Sequence, residues 1–140
     1  MILFIDTSDF RKFRIALITG SGKSARIKEK IISAKYDESE RTLPEIKKLL
    51  GSGGIKNLSA VYAVSGPGSF TGIRAGISIA LAFSFARKIP AYAIKKSRVP
   101  ANLAHLPRLK NLKKISSNFE LDYGGEPNIT KPKKRLIFSA

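Results

Sequence analysis

The stretch Gly66-Pro67-Gly68-Ser69-Phe70-Thr71-Gly72-Ile73-Arg74-Ala75-Gly76 constrains this chain more than any other, because four glycines and a proline separate a strand-like run from an unusually apolar helix. Upstream, Leu58 to Val64 is mostly β-branched, aromatic and small apolar, which reads as a buried strand. Gly66 and Gly68 can take backbone angles closed to other residues, and Pro67 stiffens the turn. Ser69 or Thr71 then caps the next helix, whose free N–H groups face whatever lies above the strand end. A loop of this kind is built for close backbone approach, either to a ligand or to its own packing partner.

The rest of the chain reads in a simple order. Strands are expected at Met1–Asp6, Phe13–Thr19 and Ala25–Ala34, joined by short polar turns into an antiparallel meander. A helix follows from about Glu40 to Leu50, where Thr42 and Glu45 have capping-box spacing and Leu43, Ile46, Leu49 and Leu50 form an apolar stripe. Gly51-Ser52-Gly53-Gly54 stops it. The strand at 58–64, a helix over 72–87 and a strand at 91–95 come next, with Pro90 marking the break. A shorter basic helix is expected from Ser97 to Lys114, and beyond it the periodicity is lost.

Charge sets the classes of partner. The chain of 140 residues carries a formal charge of +16, and residues 87–140 hold 13 basic side chains against 3 acidic ones. Lys110, Lys113 and Lys114, then Lys131, Lys133, Lys134 and Arg135, are candidates for neutralising RNA phosphates, the alternative being a solvated surface. With no cysteine there is no disulfide or thiolate metal site, and the lone His105 makes a histidine-based metal site improbable. We expect a cytoplasmic protein with no metal: the start is a short apolar strand followed by Asp6, and no apolar run reaches membrane-spanning length.

Two motifs invite over-reading. Gly20-Ser21-Gly22-Lys23-Ser24 looks like the end of a P-loop, yet Leu17 stands where the first glycine belongs and the sequence from Ala25 alternates like a strand. We read it as a hairpin turn with an exposed lysine. Asp6-Thr7-Ser8 follows the first strand, and with no second acidic partner identifiable an Asx turn into the first hairpin is the favoured reading.

The run GPGSFTGIRAG resembles the signature of the TsaB (YeaZ) family, the non-catalytic subunit of the bacterial tRNA threonylcarbamoyladenosine synthase. The opening Ile2-Leu3-Phe4-Ile5-Asp6-Thr7-Ser8 is similar to that family's first strand and turn, Leu43-Pro44-Glu45-Ile46-Lys47-Lys48-Leu49-Leu50 to its first helix, and Glu126-Pro127-Asn128-Ile129-Thr130-Lys131-Pro132-Lys133 to the C-terminal segment of short members. Glu38-Ser39-Glu40 departs from the family's His-Ser-Glu, so no role of that histidine carries over. The resemblance and the element order together imply an α/β fold, a single actin-like or ribonuclease-H-like half with a mixed five-stranded sheet flanked by helices. The half-domain would take residues 1–98, and residues 99–140 a short helix and basic tail in place of most of a second subdomain.

The helix after the signature is apolar nearly all round, more than one face against a sheet requires. Gly72, Gly76, Ala80 and Ser84 form a small-residue stripe beside the bulkier Ile73, Ile77, Leu81 and Phe85. The resemblance implies pairing through the first two helices with a TsaD-like catalytic subunit or with a second copy, so Leu43, Ile46, Leu50, Ile73, Ile77 and Leu81 are the expected interface. It further implies a TsaE-like ATPase, ATP and tRNA for the complex, with no catalytic residue and no cofactor in this chain. The contrasting expectation is a small basic RNA-binding or ribosome-associated module. A peptidase or sugar kinase is disfavoured because no catalytic constellation is present.

Overall fold

The structure, a computed structural model, describes residues 1–116 and Phe119. Strands β1 (Ile2–Asp9), β2 (Lys12–Thr19) and β3 (Arg26–Ser33) form the antiparallel meander, with Phe4 opposite Ala16 and Ala16 opposite Glu29. Helix α1 (Glu38–Leu50), strand β4 (Ala60–Gly66), helix α2 (Phe70–Arg87), strand β5 (Ala91–Lys95) and a two-residue strand β6 (Lys113–Lys114) complete the order. β4 lies parallel to β1, β5 parallel to β4, and β6 antiparallel to β5. The result is a mixed sheet in the order β3-β2-β1-β4-β5-β6, one strand wider than the expected five.

Alternation along the strands divides the core in two. Leu3, Ile5, Phe13, Ile15 and Leu17 face α1 and α2, where Ile46, Leu49, Ile73 and Ile77 meet them. Each such side chain contributes about 1.5–3 kcal/mol of burial. Phe4, Ala16, Ile18, Tyr62, Val64 and Ile94 face the other way. Leu103 and Leu106 cover that second face from a 3-10 turn at Leu103–Arg108.

That turn corrects the helix expected from Ser97 to Lys114. Pro100 and Pro107 each remove a backbone donor, so no α-helical ladder runs through the segment. The chain instead makes two short 3-10 turns, Lys96–Arg98 and Leu103–Arg108, before β6. Lys113 and Lys114 are strand residues rather than helix neighbours. The start of α1 is corrected too. Thr42 lies inside the helix and its hydroxyl donates to the Glu38 carbonyl, so the Thr42/Glu45 spacing is not a capping box.

Candidate functional site

The glycine-rich turn leaves β4 and opens α2. Ser69 is the cap: its Oγ accepts from the Gly72 N–H at 3.3 Å. The glycines face the end of β1. A Cβ on Gly68 would run into the Ser8 carbonyl, one on Gly72 into the Thr7 carbonyl, and one on Gly76 into the Thr7 hydroxyl. The Ser69 N–H donates to the Ser8 carbonyl at 2.7 Å, and the Thr7 hydroxyl donates to the Gly72 carbonyl. Close approach is therefore spent within the chain, on docking the first turns of α2 against Thr7 and Ser8. Phe70 and Arg74 point outward, with the guanidinium 5.0 Å from the ring centre. Pro67 and Thr71 are exposed.

Asp6 closes the same end of the sheet as an Asx turn, accepting from the Ser8 N–H at 3.0 Å and the Ser8 hydroxyl at 2.6 Å, while Lys96 Nζ donates to that hydroxyl at 2.8 Å. It lines a cavity of about 350 Å³ with Asp9, Lys12, Arg14 and Lys96. The amide and guanidinium of Arg11 hold the Asp9 carboxyl below the usual carboxylate range. Among the described residues no group of three or more His, Cys, Asp or Glu side chains is placed to hold a metal, and no helix is long and apolar enough to cross a membrane. The Gly20–Ser24 segment is a hairpin turn feeding β3, and it opens no α-helix.

A second surface lies on the outer side of the helices. Leu43, Lys47, Ile55, Ile79, Ala82, Phe83 and Ala86 line a groove of about 220 Å³ between α1 and α2, and all but Lys47 are apolar. Phe85, 89% exposed, stands on the same helix. Ile46, Ile73 and Ile77, expected at a partner interface, are instead buried in the chain's own core. Leu50 and Leu81 are half-buried against that core, and Leu43 is exposed. Gly72, Gly76 and Ala80 of the small-residue stripe are likewise turned inward, and the Ser84 hydroxyl donates to the Ile89 carbonyl. Sequence reading missed Ile79, Ala82 and Ala86, because a helix apolar on every side gives no periodicity from which to choose its outer face, and Ile55, in a 3-10 turn at Gly54–Asn57, belongs to no periodic run. Lys131, Lys133, Lys134 and Arg135 lie outside the described residues.

A six-stranded mixed sheet with both helices on one face, and a capped glycine turn locked to the first strand, is an actin-like, ribonuclease-H-like α/β unit. The sequence pattern of the TsaD family, tRNA N6-adenosine threonylcarbamoyltransferase, matches residues 32–115. The tRNA threonylcarbamoyladenosine biosynthesis protein TsaB of Bacillus subtilis is 32% identical over 111 residues, covering 77% of this chain and 47% of that protein. YeaZ from Pseudomonas aeruginosa superposes with a TM-score of 0.62 at 26% identity, covering 76% of this chain and 50% of YeaZ. Thermus thermophilus RuvC shares the fold at a TM-score of 0.51 and 16% identity. The chain belongs to the TsaD family, as a TsaB/YeaZ-type member, and spans about half the length of these TsaB and YeaZ relatives.

Proposed function

We propose that the chain acts in tRNA threonylcarbamoyladenosine formation as a non-catalytic subunit that docks on a TsaD-like catalytic partner. The observation that carries this reading is the apolar groove between α1 and α2, with Leu43, Ile79 and Ala82 at its wall and Phe85 exposed on the same helix. Apolar surface of this kind, left by two helices that already share a core, is suited to an opposing pair of apolar helices. Family membership and the names of the relatives supply the pathway. The chemistry belongs to the partner in this reading, with ATP and a TsaE-like ATPase serving the assembly. Glycines that would otherwise cradle a phosphate are occupied by Thr7 and Ser8, which is why no nucleotide is assigned to this chain.

Co-purification with a TsaD-type protein, followed by analytical ultracentrifugation, tests the docking. The wild type should form a heterodimer, or a homodimer when alone. Leu43→Glu combined with Ala82→Glu should abolish either by placing charges in an apolar contact, a loss of several kcal/mol of binding. A wild type that stays monomeric with and without the partner would overturn the reading.

A further inference from the structure

No acidic residue occurs between Glu45 and Glu120, a span that contains 13 lysines and arginines. The fold gathers four of them, Lys95, Arg98, Lys110 and Lys113, at one end of the sheet. Lys95 closes β5 opposite Gly66, and Lys113 sits on β6 opposite Ala93, so the two share the helix-side face of adjacent strands. With Arg98, Ser65, Asn111 and Phe119 they line a cavity of about 370 Å³. The Arg98 guanidinium donates to the Lys110 carbonyl at 2.8 Å and the Asn111 carbonyl at 3.4 Å, which holds the loop carrying Lys110 beside the cavity. Lys113 Nζ lies 5.3 Å from the centre of the Phe119 ring. Lys96 turns instead to the neighbouring cavity beside Asp6 and Asp9, and Lys114 pairs with Tyr92 on the other face of the sheet. All ion pairs found among the described residues involve residues 9 to 48, so none neutralises this cluster.

We infer that this cavity and its lysine rim are a contact site for the phosphate backbone of tRNA. Three points of chemistry favour an RNA strand over a single small anion. Four cations spread over a cavity and its rim exceed what one phosphate neutralises, and they set up the local field that attracts a polyanion. The site also lies at the carboxyl ends of the parallel strands β4 and β5, the crevice where open α/β sheets place their ligands. The lysines are exposed, which suits backbone contacts without base readout. The inference rests on the reading of the chain as part of a tRNA-modifying assembly, and it places the RNA contact on the folded body rather than on Lys131, Lys133, Lys134 and Arg135.

Binding of an unmodified tRNA transcript to the full chain, followed by fluorescence anisotropy across a salt series, tests it. Lys95→Gln, Lys110→Gln and Lys113→Gln together should weaken binding about tenfold or more at about 0.1 M salt and lower the salt slope by about 2 units. The matched control removes the same charge elsewhere, through Lys56→Gln, Arg87→Gln and Lys88→Asn, and should change affinity less than about threefold. Equal effects of the two triples, no measurable tRNA binding by the wild type, or weakening produced only by exchanging the four basic residues at 131–135 would each overturn the site. Both triples should melt with the wild type, since every exchanged side chain is exposed. The Lys95/Lys110/Lys113 variant should still co-purify with a TsaD-type partner. Loss of tRNA contact with docking intact therefore concerns this site alone, and failure of docking by the wild type concerns the functional reading alone.

Discussion

The two ends of α2 put apolar and small residues to opposite uses. At its start, Gly72, Ile73, Gly76 and Ile77 are all buried, and the two glycines fit so closely against Thr7 that no Cβ can be accommodated. Toward its end, Ala82, Phe85 and Ala86 are exposed, and the two alanines line the groove against α1. The first end is consumed by the fold, and the second is surplus to it. A signature motif thus marks where the chain must fit itself, while an unremarkable run of alanine and phenylalanine marks where another molecule can be received.

The sharpest way to break this comparison is to place the same charge at both ends. Ile73→Glu puts a carboxylate into the core between α2 and the sheet with no cation beside it, a change of at least about 4 kcal/mol, comparable with the whole stability of a small domain. Far-UV circular dichroism should show a largely unfolded chain. Leu43→Glu, on an exposed position of the groove, should melt within about 0.5 kcal/mol of wild type yet lose the protein partner. If both variants fold equally well, the assignment of Ile73 to the core is wrong.

One methyl group sharpens the comparison further. Gly72→Ala drives a Cβ into the Thr7 carbonyl, and because the obstacle is backbone the helix itself must lift from β1. About 3 kcal/mol of destabilisation is expected, read as a shift in the urea midpoint. A stabilisation, the usual result of replacing glycine by alanine inside a helix, would show that α2 and β1 are not in contact there.

Much of this arrangement was legible before the structure. The meander, α1, β4, α2 and β5 follow from alternation and glycine punctuation, and their order leads to the actin-like half only together with the resemblance of the glycine turn to the TsaB signature. What the sequence concealed has physical causes. Residues 97–114 carry helical spacing of their lysines, but Pro100 and Pro107 override it, and β6 is too short to leave a pattern. The resemblance points to the first two helices without saying which of their faces is outward, and because the core takes bulky side chains first, Ile46, Ile73 and Ile77 are buried. The basic cavity was hidden because its parts, Lys95, Arg98 and Lys113, are joined only by the pairing of β5 with β6.

The exposed end of α2 offers a third, smaller effect. Phe85 is a large aromatic ring held in solvent, so Phe85→Ala should leave the thermal midpoint of the isolated chain unchanged or slightly raised. Its loss should weaken the partner complex about tenfold if the ring is one of the anchors of docking. Unchanged affinity would confine the interface to the groove itself, at Leu43, Ile55 and Ala82.

The smallest effect lies on the sheet face away from the helices. Tyr62 is buried there, edge-on to Tyr92 with ring centres 5.4 Å apart, and burial pushes its phenol above the ordinary value of 10.0, with Tyr92 adding to the shift. A folded-state value above the unfolded one means that the folded chain holds the proton longer. This contribution is fully present below about pH 10 and is lost as pH rises through the folded-state value. Alkaline unfolding should therefore be coupled to tyrosinate formation, read from its absorbance. Tyr62→Phe should flatten the alkaline fall in stability by less than about 1 kcal/mol while barely moving the midpoint at neutral pH. An unchanged alkaline limb in Tyr62→Phe would mean that the phenol reaches water, and that Leu103 and Leu106 do not seal this face as tightly as α1 and α2 seal the other.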